Sequence, residues 1–554
     1  MTSLLGRVLE LSEARPGRPF ANIWKPGGEV STVTYGELVL AASGFAGALA
    51  GAGVRRGDVV VVIVRPGEAL LSAWLAPLLL GAIPSIFPWP TEKLSREYYE
   101  KSVASLLSIC GARTILVNSD LEETLRKLAE DLAIPPVTID VEGCRPAAAP
   151  LPVARDLRED AEAIAVLQHS SGSTGLQKGI ALSSRAVFNQ IESYGRALAV
   201  TDADSVANWM PLYHDGGLVA GFLQPLLRGL RLSILSPLDW VHDPALLFQA
   251  ITRDRCTLCW LPNFAYNFLA RKIPDRQLEG IDLSSMRAFV NTAEPVRASS
   301  HEMFLSRFRR LGLAPTSLTT SYGTAENTLA ITQSDPSRPL RLEEVDRSKL
   351  FRDGVAAEPA AGSASVTLVS CGPPIPNTRV AVLGPRFDPL PERRVGELAI
   401  RSDCMLTEYF RRPDLTARAF HDGWYLTGDN GYLSGGEVFV TGRKKDLIIV
   451  GGANVYPQDL EAVTDGVEGV HPGRTVAFGV ENEGTGTEDV VVLFEAEGSR
   501  DSRKVEDDVR RAIARQSDCV ARTVAAVPAA WLVKTSSGKI SRTRCKEKFL
   551  KEKT

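Results

Sequence analysis

Short apolar runs of strand length alternate with longer, helically spaced segments through most of residues 1–330. VVVVIV at 59–64, TILV at Thr114–Val117, the run at 164–167 and RLSIL at Arg231–Leu235 are the clearest strands. Such alternation predicts parallel, doubly wound sheets covered by helices. The run at 69–90 carries no charge and has about the length of a bilayer span. Pro77, Gly81, Pro84, Pro88 and Pro90 break it, so a buried helix followed by a short strand is expected instead. Beyond Ser365 the texture changes. SVTLVS, TRVAVLG, GELAI and EVFVTG are separated by Gly/Pro turns and predict a small antiparallel, barrel-like unit. A last segment with its own α+β texture opens at GRKKD, residues 442–446. Between these regions, 333–364 reads QSDPSRPLRLEEVDRSKLFRDGVAAEPAAGSA. It has no strong apolar period and is expected to be an inserted loop.

The chain has 554 residues, about three or four domain-sized units. It is 44% hydrophobic and 23% charged, with a formal net charge of −3. That is a globular balance, without the basic excess of a nucleic-acid binder. The N-terminal stretch MTSLLGRVLELSEARPGRPF has no long apolar region before a small-residue cleavage site, so no signal peptide is expected. Eight cysteines are scattered without a framework. Cys256 and Cys259 form a CxxC in CTLCWLP, which reads as a buried strand using cysteine as a small apolar residue. Neither a second CxxC nor a histidine pair completes a zinc site. Reduced thiols fit a cytoplasmic location.

The densest chemistry lies at 169–179, HSSGSTGLQKG, after the apolar run 164–167. Small residues leave backbone N–H groups unshielded, and two hydroxyl types and Lys178 add donors suited to phosphate oxygens. Gln177 occupies the place of the glycine that would precede the lysine of a Walker A loop. On local composition, a phosphate cradle and a flexible surface turn are both open. His214, in NWMPLYHDGGL, is equally open, since a lone histidine is more often structural than functional.

Downstream lie SYGTAEN at 321–327, YLTGDNGYL at 425–433, GRKKDLIIVGGANVYPQDLE at 442–461 and KTSSGKISR at 534–542. With the glycine-rich loop, and in this order, they resemble the acyl-adenylate-forming (ANL) superfamily. That superfamily comprises acyl-CoA synthetases, luciferases and peptide-synthetase adenylation domains. The resemblance implies an α/β enzyme. Residues 1–443 would form a large N-terminal domain of two doubly wound sheets and a small distorted β-barrel. Residues 444–554 would form a small, mobile α+β C-terminal domain turning about Lys445. It also implies ATP and Mg²⁺. Ser171, Gly172, Ser173, Thr174, Gly175 and Lys178 would wrap the phosphates. Ser321, Tyr322, Gly323 and Thr324 would take the adenine, with Tyr322 stacked on it and Ala293, Glu294 and Pro295 as the opposite wall. Asp429 would accept both ribose hydroxyls, beside Arg443. Glu326, with Thr174, would hold the metal, and one carboxylate suffices because magnesium shares its shell with phosphate oxygens. Lys539 would bridge the attacking carboxylate and the α-phosphate, where charge develops in line. His214 would line the path of the acid, and Asp215, Gly216 and Phe264 its acyl pocket. The other cations of the tail, Arg542, Arg544, Lys546, Lys548, Lys551 and Lys553, read mostly as a solvated basic face, with docking of an acidic partner as a secondary reading.

PNFAYNFLARK at 262–272, NTAEPVR at 291–297, NVYPQDLE at 454–461, RPLRLEEVDRSKL and VSCGPPIP at 369–376 resemble the fatty acyl-AMP ligase branch. The branch implies an insertion near 333–364 that hinders formation of a CoA site. It also implies transfer of a fatty or related lipophilic acyl group to the phosphopantetheine thiol of an acyl carrier protein. Two positions depart from it. Gly216 stands where the branch usually has Met, which is expected to open space beside His214. Gly451-Gly452-Ala453-Asn454 resembles the corresponding stretch of CoA ligases. Free CoA is therefore the alternative acceptor. A non-catalytic adenylate-binding protein is a lower alternative, disfavoured by the presence of Lys539, Glu326 and Asp429. No nucleic acid and no integral membrane association are expected.

Overall fold

The computed structural model describes residues 2–90, 96–130, 136–170, 178–450, 453–482, 487–498, 501–516, 520–535 and 538–553. Ser171, Gly172, Ser173, Thr174, Gly175 and Gln177 of the glycine-rich loop, and Gly451 and Gly452, lie outside them.

Two parallel sheets carry the first part of the chain. One has four strands in the order Ile83–Ile86, Val59–Ile63, Thr114–Val117, Val137–Asp140. Val59–Ile63 is buried along its whole length, as a parallel strand covered on both faces requires. The second has seven strands in the order Leu318–Thr320, Ala288–Asn291, Leu258–Leu261, Ser205–Asn208, Arg231–Leu235, Pro19–Trp24, Val30–Thr34. All are parallel except the last, which turns back on Pro19–Trp24. Every carboxyl end from Leu318–Thr320 to Arg231–Leu235 therefore faces one edge.

The charge-free run at 69–90 is divided as its prolines demand. Helix Glu68–Leu75 and the 3₁₀ turn Pro77–Leu80 lead to strand Ile83–Ile86, with Gly81 left-handed at a φ of 70°. No described helix is long and apolar enough to cross a membrane. Cys256 and Cys259 are fully buried. Burial pushes the Cys256 thiol up to about 12 and raises that of Cys259 as well. Both act as apolar packing groups.

Three expectations need correction. The run at 164–167 belongs to Ile164–Ser170, which pairs antiparallel with Lys178–Ser183, itself flanked by Glu408–Tyr409. It is not part of a parallel sheet: its partner strand begins only eight positions after Ser170, too few for the crossover that parallel pairing needs. The later antiparallel sheet contains Thr378–Leu383, Gly396–Ser402, Trp424–Ser434, Phe420–His421 and Glu437–Arg443, but not SVTLVS. That strand, Ser365–Val369, pairs instead with Leu342–Asp346. The segment 333–364 is therefore not a solvated loop. It supplies strand Leu342–Asp346 and helix Arg347–Asp353, N-capped by Asp346. Val345, Leu350 and Ala356 bury against Tyr432 and Phe439. Glu343 accepts bonds from Tyr432, Ser434 and Arg341.

Among the described residues, two apolar clusters draw only on positions from 448 onward. One packs Ile448, Leu460, Val492, Phe494 and Val509. The other packs Phe478, Val491, Cys545 and Phe549. Both cover the sheet Val470–Asn482, Thr487–Ala496, Thr523–Val527.

Candidate active site

The carboxyl ends of open parallel strands are where α/β folds bind ligands, and the singled-out residues gather at that edge. Strand Leu318–Thr320 leads into Ser321, Tyr322 and the 3₁₀ turn Ala325–Asn327. Ser321 donates to the Thr332 carbonyl (2.8 Å), and Thr324 caps the turn by accepting from the Asn327 N–H. Gly323 is needed here, because a Cβ would sit 2.0 Å from the Leu329 carbonyl oxygen. The buried Tyr322 donates its hydroxyl to Asp429 Oδ2 at 2.8 Å. Asp429 lies on Trp424–Ser434 directly opposite Arg443 on Glu437–Arg443, with Arg443 Nε 3.5 Å from its Oδ1. Burial raises the Asp429 carboxyl above the usual range, and the guanidinium of Arg443 opposes that rise. A phenol, a carboxylate and a guanidinium so arranged can hold a polyhydroxylated ring beside an aromatic base.

Glu326 faces a second cluster. Its Oε1 accepts from the Tyr409 hydroxyl at 2.8 Å, and the Tyr425 hydroxyl is 3.2 Å from that of Tyr409. Lys178 Nζ lies 4.9 Å from the centre of the Tyr409 ring, within cation–π range. One tyrosine thus gathers the cation after the glycine-rich loop and the carboxylate of SYGTAEN. Tyr409 lies outside every motif quoted above, and Tyr425 lies inside one without a stated role. Only the fold reveals either.

Lys539 arrives from the far end of the chain. Gly538, at a φ of 82°, turns the loop, and the Thr535 N–H donates to the Lys539 carbonyl at 2.7 Å. The Lys539 ammonium donates to the carbonyl of Ala293. Ala293 holds a φ of 68°, a strained value for a residue with a side chain. Its neighbour Glu294 accepts from the Phe264 N–H at 2.9 Å, and Pro295 continues the same loop. Burial lowers the Lys539 ammonium, while the charges of Glu294 and Asp215 pull it back up.

His214 and Asp215 follow strand Ser205–Asn208 at the same edge. Burial and the nearby Lys539 charge push His214 down to about 3, so its ring is neutral at neutral pH. Its Nε2 is buried without a partner among the described residues. Burial raises Asp215, whose Oδ1 accepts from the Gly216 N–H at 2.8 Å.

The expected space at Gly216 is absent. A Cβ there would lie 2.7 Å from Met210 Cε, so the methionine six residues earlier fills the gap from the other side. Gly216→Met should therefore displace the flexible end of Met210 and cost roughly 1 kcal/mol of stability, the low end of overpacking. Adding Met210→Ala should recover much of that loss. Denaturant unfolding of both single variants and the double variant measures the coupling, and strictly additive losses would show that the two positions do not share the space. Phe264 is 38% exposed and turns its ring edge to Trp209 and Trp240.

Arg542 is not part of a solvated basic face. It donates to Asp446 Oδ2 (2.8 Å) and to both oxygens of Glu461 (2.8 and 2.6 Å). It thereby ties the loop of Lys539 to the turn Lys444–Asp446. Lys548 instead lies 4.5 Å from the Trp531 ring centre.

Residues 10–410 match the family described as AMP-binding enzyme, and the chain belongs to that family. A putative acyl-CoA synthetase of Caulobacter vibrioides is 31% identical across 98% of this chain and 94% of its own. The medium-chain-fatty-acid–[acyl-carrier-protein] ligase JamA of Moorena producens is 34% identical across 71% of this chain and 68% of its own. A solved structure from a study of fatty acyl-adenylate ligases of E. coli and L. pneumophila superposes with a TM-score of 0.91. It is 25% identical and covers 100% of this chain and 98% of that one.

Proposed function

We propose that this protein activates a fatty or related lipophilic acid with ATP and passes the acyl group to the phosphopantetheine thiol of an acyl carrier protein. The observation that carries the reading is the seating of Lys539 on the Ala293 carbonyl, within the electrostatic reach of Glu294, Asp215 and Arg443. An acid carboxylate beside this ammonium would attack the α-phosphorus of ATP. One P–O bond forms, the bond to the leaving pyrophosphate breaks, and acyl-AMP results. The ammonium stabilises the negative charge that develops between the two reactants. Tyr322, Asp429 and Arg443 would hold the adenosine. Lys178 would meet the phosphates, together with Ser171, Gly172, Ser173, Thr174 and Gly175. Glu326 offers the hard oxygen donor that Mg²⁺ prefers, Thr174 would be the second ligand, and Mg²⁺ there would neutralise phosphate charge. The neutral His214 would border the acid without adding charge. In the second half-reaction a thiolate attacks the acyl carbon and AMP leaves. The similarity to JamA supports a carrier-protein acceptor, and that to fatty acyl-adenylate ligases supports the adenylation step. ATP–pyrophosphate exchange over a panel of free acids tests the reading. Absence of exchange with every acid would refute it.

The acceptor is tied to the insertion. Phe351, on its helix Arg347–Asp353, packs its ring at a 43° tilt against Tyr456 of the C-terminal segment, with centroids 4.8 Å apart. The charge of Arg347 also acts on the half-buried Asp459. This clasp favours the adenylating arrangement and opposes the one that admits free CoA. Removing the whole insertion would expose Tyr432 and Phe439, so a point variant is the cleaner probe. The unaltered enzyme should acylate a holo carrier protein and give little acyl-CoA. Phe351→Ala should raise acyl-CoA formation several-fold while pyrophosphate exchange is retained. The competing reading, an acyl-CoA synthetase, rests on the Caulobacter relative. Efficient acyl-CoA formation by the unaltered enzyme would establish it.

A further inference from the structure

Three neighbouring strands of the seven-stranded sheet end in aromatic residues that meet. Trp209 follows Ser205–Asn208 directly. Trp240 lies on helix Pro237–His242, after Arg231–Leu235. Phe264 and Phe268 lie on helix Asn263–Lys272, after Leu258–Leu261. The indoles of Trp209 and Trp240 stack with centroids 3.6 Å apart and planes 24° apart. Phe264 points its edge at both, at 6.1 and 6.2 Å. The same Phe264 is bonded through its N–H to Glu294, next to the carbonyl that holds Lys539. Along one sheet edge, therefore, come Tyr322 and Glu326, then Ala293 with Lys539, then Phe264, and last the indole pair.

Two further observations bear on this pair. Trp240 is fully buried and Trp209 nearly so, yet neither indole N–H has an acceptor among the described residues. Buried donors are almost always paired, so an orphan in a native site is met either by an ordered water or by a partner that arrives. Behind the stack, Phe268 lies 5.0 Å from Trp240. Phe268 also lines an open cleft of about 610 Å³, together with Val241, Pro244 and Lys272. Trp240 thus stands between the edge that carries Lys539 and an open surface cleft.

We infer that the Trp209–Trp240 pair is the end wall of the acid site and selects a compact acid with a hydrogen-bond acceptor at its far end, such as a hydroxyl, ether or keto oxygen. This deepens the activity proposed above and rests on it. Apolar pockets discriminate weakly between chain lengths, whereas a site built around donors rejects an isostere that leaves them unpaired.

The test is ATP–pyrophosphate exchange with straight-chain acids from butanoate to palmitate, each beside an analogue of equal length bearing a terminal hydroxyl or internal keto group. The unaltered enzyme should favour the compact oxygenated acids by about tenfold or more, the worth of roughly one well-made hydrogen bond. Trp240→Phe keeps a ring but removes a donor, and should lower the ratio of oxygenated to plain acid. Trp240→Ala should open the way to the cleft and raise relative activity on palmitate. Thermal unfolding of each variant shows whether it is folded, and Trp240→Phe carries the test if the alanine variant is not. Palmitate as the best acid for the unaltered enzyme would overturn the inference. So would an unchanged acid ratio in Trp240→Phe. Either result leaves adenylation itself standing, whereas silence with every acid removes the activity and the wall together.

Discussion

Lys539→Ala should slow acyl-adenylate formation by ~10²–10³ or more, the usual cost of removing one well-placed charge donor from a developing transition state. Among the described residues the side chain bonds to the Ala293 carbonyl, and it lies outside both C-terminal apolar clusters. The loss should therefore appear in chemistry and not in stability. Transfer from supplied acyl-AMP to the thiol should suffer far less, because that step needs no cation between the carboxylate and the α-phosphate. Single-turnover pyrophosphate release, set beside thioester formation from preformed adenylate, separates the two. Equal losses in both half-reactions would remove Lys539 from its assigned role.

Lys445→Pro should leave acyl-AMP synthesis near normal and reduce thioester formation by ~10²-fold or more, the scale of loss when reacting groups are misplaced. The position is chosen by what its neighbours hold. Arg443 faces Asp429, and Lys444 donates to Glu397 at 2.8 Å, so both are fastened to the antiparallel sheet. Asp446 is fastened to Arg542, within the C-terminal segment. Lys445 is the residue between those two anchorages. It occupies the middle of the 3₁₀ turn Lys444–Asp446, where a proline φ fits the present arrangement and resists a different one. Thioester formation at the unaltered rate would show that no rotation at this turn is required.

The motifs announced themselves in the sequence because each pairs glycine or a hydroxyl residue with a charge at a strand end. Asp429 and Arg443, fourteen positions apart in two of those motifs, sit opposite each other on adjoining strands. What escaped was packing between distant segments. Met210 fills the space at Gly216 only because the chain folds back between Asn208 and the π-helical turn Gly216–Leu223. Tyr409 reaches Glu326 across 83 positions. The strand Leu342–Asp346 reads LEEVD, too charged to suggest a sheet. Its partner lies beyond a helix, and its burial depends on Tyr432 and Phe439, which belong to another sheet. Arg542 looked like one more cation of a basic tail until its two carboxylate partners were seen.

The order of strand ends has an evolutionary consequence. The residues assigned to the nucleotide hang from Leu318–Thr320, Ala288–Asn291, the antiparallel sheet and the start of Lys178–Ser183. Those assigned to the acid hang from Leu258–Leu261, Ser205–Asn208 and Arg231–Leu235. The two sets share an edge but no loop. Drift or recombination in the acid-facing loops can therefore recruit new substrates while the costly machinery of phosphate chemistry is inherited intact. One scaffold can diversify in this way by changing its menu and not its reaction.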